Sequence, residues 1–76
     1  MAIFLLNENL ALDSIQSFSN NDKVLTGIIR MKDEAITAVT VNQRIAYQRD
    51  KGTVVTYNGK EYVLVKFADL EGRITA

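Results

Sequence analysis

The sequence predicts a small all-β domain, and three observations carry this prediction. Runs of β-branched and aromatic residues recur at short intervals along the 76 residues, separated by turn-forming Asn, Asp and Gly. The clearest two runs, residues 53–57 and 60–67, flank Asn58 and Gly59, the pair that most readily takes the two positive φ angles of a type I′ turn. The apolar residues of this hairpin occupy both of its faces. That pattern is typical of a small closed barrel, or of a ribbon whose outer face meets a partner.

The turn also fixes which residues of the hairpin lie opposite each other. Because two residues form the loop, Val55 is expected opposite Tyr62, and Val54 opposite Val63. Both faces of the ribbon are then partly apolar: one carries Val55, Tyr62 and Leu64, and the other carries Val54, Val63, Val65 and Phe67.

The first half of the chain contains an ambiguous segment. Residues 10–18 could form a helix, because Leu10, Ile15 and Phe18 fall near one helical face, or they could form a strand. The helix would have one narrow apolar stripe and no strong cap, so the strand is favoured. Residues 16–22 have the Ser, Asn and Asp content of a loop, with Phe18 alone in it.

The middle of the chain is predicted to supply three more strands, at residues 23–31, 35–41 and 44–48. Gly27, inside the first of them, marks either a β-bulge or a close approach of two backbones. The charged residues 32–34 are predicted as a turn. About six short strands result, spaced as in small all-β barrels.

Length and composition further narrow the class of protein. Residues 1–76 are predicted to form a single domain, which buries only about 60% of its unfolded surface and is therefore marginally stable. The chain has no cysteine for disulfides, and the absence of both Cys and His argues against a structural zinc site. Association with other copies is the commonest remaining source of stability.

The charge and the N-terminal sequence predict which partners and which compartment the protein has. Nine basic and nine acidic residues cancel, and no run of Lys and Arg is longer than a pair, so nucleic acid is not an expected partner. Residues 2–6 are apolar, but no basic segment precedes them and no small-residue cleavage site follows. The chain is therefore expected to be cytoplasmic, with no membrane span.

The sequence offers little for catalysis. Without His or Cys the usual nucleophile and base pairs cannot form, and the carboxylates fall nearly all in turns, where solvated charges are the favoured interpretation. The four glycines are isolated and do not have the spacing of a phosphate-binding loop. We therefore expect no enzyme activity, no cofactor and no metal.

The aromatic residues allow two interpretations each. Four of them could form a platform for stacked bases: Tyr47, Tyr57, Tyr62 and Phe67. Because the chain is neutral, a position in the barrel core or at a subunit interface is the favoured interpretation. Phe18 either packs back on its own barrel or is presented to a partner groove.

The stretch "VNQRIAYQRDKGTVVTYNGKEYVLVKFADLEGRI", residues 41–74, resembles the C-terminal half of GroES-type co-chaperonins. The family's pattern is matched at Val41, Ile45, Tyr47, Gly52, Thr53, Val55, Asn58, Gly59, Glu61, Tyr62, Leu64, Val65, Asp69, Leu70 and Ile74. Residues 3–12 look like the family's opening strand, and residues 26–31 are similar to the strand after its mobile loop.

The chain also departs from the family. Leu5 stands where the opening strand has a proline, and Asn42 and Gln43 replace a Gly-Asp turn. The mobile loop is cut to residues 16–24 without the family's Gly-Gly and apolar triplet, and the roof hairpin is shortened to residues 31–38. A member trimmed in this way suggests a phage-encoded version.

The resemblance implies a small GroES-like β-barrel that assembles into a ring of seven. In that family the N-terminal strand of each subunit pairs with the C-terminal strand of its neighbour, which assigns the interface to Ile3, Phe4, Leu5, Leu70 and Ile74. The implied function is to cap a chaperonin folding cage, with Ile15 and Phe18 as the residues that bind the chaperonin. Two alternatives remain open: a ring-forming phage or bacterial structural or adaptor protein, and a small inhibitor that binds a host protein through residues 16–24.

Overall fold

The computed structural model describes residues 5–18 and 21–74, and this part of the chain is all-β. It contains two short 3-10 turns, Arg49–Lys51 and Phe67–Asp69, and no helix long and apolar enough to cross a membrane. The strands are β1 Asn9–Phe18, β2 Asn21–Lys32, β3 Arg44–Gln48, β4 Thr53–Tyr57, β5 Lys60–Lys66 and β6 Leu70–Ile74.

All six strands belong to one antiparallel sheet, in the order β4-β5-β1-β2-β3-β6. The predicted all-β class is therefore confirmed. β4 and β6 are the two edges of the sheet and do not pair with each other, so the sheet is not closed into a barrel.

The hairpin of β4 and β5 has the predicted turn and register. Asn58 and Gly59 have φ angles of 56° and 78°, as a type I′ turn requires. Val55 lies opposite Tyr62, and the remaining pairs follow from the same two-residue loop. The predicted second strand is one residue too long, because Phe67 begins the 3-10 turn.

β1 is a strand, so the helical alternative for residues 10–18 is wrong, and it carries a bulge opposite Gly27. Two residues of β1, Ser14 and Ile15, stand against that single glycine of β2. Ser14 takes a φ of 54°, which redirects the strand at this point. Both features predicted for Gly27, a bulge and a close backbone approach, are present.

The loop predicted at residues 16–22 is wrong. Residues 16–18 complete β1 and residues 21–22 begin β2, with Phe18 opposite Asn21. Ser and Asn favour turns, but pairing with the β-branched and aliphatic residues of β2 overrides this local preference and brings the polar stretch into the ladder.

The strand predicted at residues 35–41 is also wrong. After β2 the backbone N–H of Ile36 donates to the carbonyl oxygen of Asp33 at 3.0 Å, which forms a turn. Ile36 and Val39 are buried, so their β-branched side chains fill the core from a loop rather than from a ladder. The same turn and loop take the place of the roof hairpin expected at residues 31–38.

The core lies on one face of the sheet and is closed by this loop. Each large side chain that is fully buried contributes about 1.5 to 3 kcal/mol of transfer free energy. Partly buried Ile15, Leu25, Val63, Phe67 and Leu70 pack around the core, whose buried members are Leu10, Leu12, Ile29, Ile36, Val39, Ile45, Tyr47 and Val65.

Candidate interaction surfaces

Asp13 is the buried carboxylate of the described chain, and it joins three strands. Its Oδ1 accepts a bond from Arg30 Nε at 2.7 Å, and its Oδ2 lies 3.3 Å from Lys60 Nζ. The Lys60 ammonium also lies 5.7 Å from the ring centroid of Tyr62. Burial alone raises the pKa of Asp13, but the bonds from Arg30 and Lys60 outweigh it and hold this pKa below its usual range.

The polar groups of this ion-pair cluster are bonded to one another. Both oxygens of the carboxylate are already engaged by cations, and the side chain of Ser14 also bonds to it. Within residues 5–18 and 21–74, His, Cys, Asp and Glu form no group that could hold a metal ion. Asp13 therefore links β1, β2 and β5 structurally.

A cleft opens where β1 and β5 separate. Their pairing runs from Asn9 opposite Lys66 to Leu12 opposite Val63 and stops there, directly before the bulge of β1. The cleft has a volume of about 440 Å³, within the range of small-ligand sites, and its walls are mainly apolar. They include Leu12, Ile15, Leu25, Tyr47, Val54 and Val63.

A second groove, of about 450 Å³, lies on the opposite face of the sheet. Its floor contains the small residues Ala46 and Gly72, and its walls include Phe18, Val24 and Ile74. Phe18 is 42% exposed at the end of β1. We call this surface the β6 groove, because it runs along the edge strand β6.

The two residues predicted to bind a chaperonin lie in different places. Ile15 is half-buried, packs against the core and lines the cleft. Phe18 lies in the β6 groove, whose lining also includes Ile74, which was predicted as an interface residue. One predicted partner-binding residue and one predicted interface residue therefore line the same groove.

The other predicted interface residues that the structure describes are both half-buried. Leu70 is half-buried and packs against the core, and Leu5 is half-buried before β1. Ile3 and Phe4 lie outside the described residues. β6 pairs with β3 along one edge, and no described strand pairs with its other edge.

The aromatic residues do not form a stacking platform. Tyr47 is 1% exposed in the core, and Phe67 is half-buried against it, whereas Tyr57 and Tyr62 are half-buried on the other face of the hairpin. Sequence reasoning did not single out the Asp13 cluster. Strand alternation after Leu10 and Leu12 could have placed Asp13 away from the core, but nothing local indicates that Arg30 and Lys60 meet there.

No protein-family model matches the chain, and no curated protein matches it. The resemblance to GroES-type co-chaperonins therefore stays a prediction.

Proposed function

We propose that this chain is a non-enzymatic ring subunit of the co-chaperonin type, which assembles with copies of itself and caps a chaperonin folding cage. The observation that carries the proposal is the open edge of β6 beside a groove that combines the apolar Phe18, Val24 and Ile74 with the polar Gln48, Glu71 and Arg73. An unpaired strand edge next to apolar side chains is the surface that a further strand would cover.

The strand that covers it is the apolar N-terminal run of a neighbouring copy, which includes Ile3, Phe4 and Leu5. Apolar side chains from that run fit the groove, because its floor is Ala46 and Gly72, and a Cβ placed at Gly72 meets no atom within 4 Å. Pairing between copies leaves no open edge at β6, and a head-to-tail contact of this kind closes into a ring when its rotation allows.

The chaperonin contact is made by the exposed side chain of Phe18, at the end of the β1–β2 hairpin. An aromatic side chain that is 42% exposed can anchor a partner without first leaving its own core. Ile15 is a weaker candidate, since it already packs against the core.

One observation favours a different candidate, a ring-forming structural or adaptor protein that binds no chaperonin. Residues 16–18 and 21–22 belong to strands, so only residues 19–20 connect them. A connection this short leaves little chain to order on contact with a chaperonin, whereas ring assembly through β6 does not need it.

Binding to a purified bacterial chaperonin, measured with and without ATP, separates the two candidates. The co-chaperonin function predicts ATP-dependent co-elution that Phe18→Ala weakens by about 30-fold or more, the effect of losing an anchor of about 2 kcal/mol. Val41→Ala is the matched control, because Val41 is 45% exposed at a distant site. A ring that never binds the chaperonin supports the structural candidate, and a protein that forms no ring contradicts both.

A further inference from the structure

The edge strand β4 has none of the features that usually protect a sheet edge. It pairs with β5 on one side, and no described strand pairs with it on the other. Its five residues, TVVTY, contain no charge, no proline and no glycine, and its register with β5 has no bulge. Thr53, Val54 and Thr56 are exposed, and Val54 is exposed to 65%.

The opposite edge of the sheet shows what β4 lacks. β6 carries Glu71 and Arg73, has Gly72 between them, and is bulged against β3. Charges and bulges on an edge restrict which strands can pair with it. An unmodified edge made of β-branched and aromatic residues has no such restriction, so β4 is the edge that is open to any strand of matching geometry.

We propose that β4 pairs with β4 of a second copy of this chain, antiparallel across a two-fold axis at Val55. In this register Thr53 lies opposite Tyr57 of the other copy, Val54 lies opposite Thr56, and Val55 lies opposite its own equivalent. All of these are pairs of β-branched or aromatic residues, which stabilise antiparallel ladders. Because the strand is uncharged, pairing with itself brings no like charges together.

The two-fold arrangement also limits the size of the assembly. An isologous contact uses the β4 edge of both copies, so it joins two copies and adds no further copy at that edge. Five paired residues bury less than the roughly 800 Å² per partner of a standard interface. We therefore expect the contact to form at micromolar concentrations and to dissociate on dilution.

Thr56→Lys tests the contact, because an exposed lysine on an edge strand opposes pairing without touching the core. Sedimentation of the full chain at rising concentration should show a mass that doubles, and Thr56→Lys should halve it. Thr37→Lys, the same change at an exposed loop position, should behave like the parent chain. Equal masses for Thr56→Lys and the parent at every concentration would overturn the proposal.

The register can be tested by cross-linking, since the chain contains no cysteine. Val55→Cys would place two Cα atoms about 4.5 to 5.5 Å apart across the axis, within the range of a disulfide. Val54→Cys would place them about 8 Å apart, beyond that range. Oxidation should therefore link Val55→Cys into a dimer and leave Val54→Cys monomeric on a denaturing gel.

Any other cross-linking pattern counts against the proposal. Links in both variants would indicate random collision, and links in neither would exclude the two-fold at Val55. Because Val55 is half-buried, folding of each reduced variant is checked by circular dichroism. Should Val55→Cys not fold, a mixture of Thr53→Cys and Tyr57→Cys chains must give the mixed disulfide, and its absence would overturn the register.

Discussion

A Cβ atom at position 27 would lie 2.7 Å from Cδ1 of Ile15, so the bulge of β1 closes against β2 only because Gly27 has no side chain. The same Cβ would lie 3.1 Å from Cβ of Leu12 and 3.3 Å from the backbone oxygen of Asp13. The end of the Ile15 side chain could move aside, but the backbone and Leu12 could not do so without moving β1.

Gly27→Ala should therefore lower the free energy of unfolding by about 1 to 3 kcal/mol, the usual cost of overpacking. Thr37→Ala is the control, because Thr37 is exposed in the loop after β2. Urea denaturation of both variants measures the difference. Equal midpoints for Gly27→Ala and the parent chain would show that β1 can shift freely.

The type I′ turn gives a second prediction, which depends on φ alone. Gly59→Val should destabilise the fold by about 1 to 2 kcal/mol or more, because a β-branched residue is strained at a φ of 78°. A steric clash is not the cause of this destabilisation, since no atom lies within 4 Å of a Cβ at Gly59. Glu61→Val adds the same side chain at an exposed position of the same hairpin where φ is not positive, and its melting temperature should stay close to that of the parent.

Local signals account for the elements that were predictable from the sequence. The hairpin turn depends on Asn58 and Gly59, which act on their own backbone, and its register follows from the loop length. Gly27 was also recognisable, because a glycine inside a strand often marks a bulge or a close backbone approach. These features need no knowledge of distant residues.

Tertiary contacts determine the structure of the segments that were predicted wrongly. Residues 35–41 have strand propensity, but Asp33 starts a turn and the core takes up Ile36 and Val39. Residues 16–18 look like a loop, yet β2 supplies a partner for them. The placement of Phe18 and Ile74 in the lining of one groove depends on strand order, which no local pattern contains.

Asp13 predicts a dependence of stability on pH. Its pKa is lowered in the folded state, so the unfolded chain takes up this proton first as the pH falls. The stabilisation is complete above the usual pKa of an aspartate and is lost as the pH falls through the lowered pKa of the folded state. The free energy of unfolding, measured by urea titration from pH 7 to pH 2, should decrease over this acid range.

Asp13→Asn tests the assignment of this pH dependence. The free energy of unfolding of the variant should be about 1 to 2 kcal/mol lower at pH 7. This value lies between those for exposed and buried ion pairs, because Arg30 and Lys60 are partly exposed. The difference in free energy of unfolding between the variant and the parent should shrink as the pH falls and Asp13 of the parent becomes protonated. Asp50→Asn, at an exposed site, is the control, and an equal loss in both variants would contradict a special role for Asp13.

Phe18 should contribute less to folding than a buried aromatic residue. A phenylalanine that is 42% exposed loses less on truncation than a buried one, so Phe18→Ala should cost about 1 to 2 kcal/mol of stability. Tyr47→Ala, at a site that is 1% exposed, should cost roughly 3 to 5 kcal/mol. Thermal unfolding of the two variants compares them. Equal losses would make Phe18 a core residue and remove it as the anchor for a partner.

Assembly through the β6 edge is the central claim, and the mass of the protein in solution tests it most directly. Native mass spectrometry of Thr56→Lys, in which pairing through β4 is suppressed, should show a closed ring of 8.5 kDa subunits, with seven as the expected number. Deletion of residues 1–5 in the same background should reduce the ring to single subunits. A Thr56→Lys chain that stays a folded monomer at micromolar concentration would contradict the claim. A deletion variant that still forms a ring with the same number of subunits would contradict it as well.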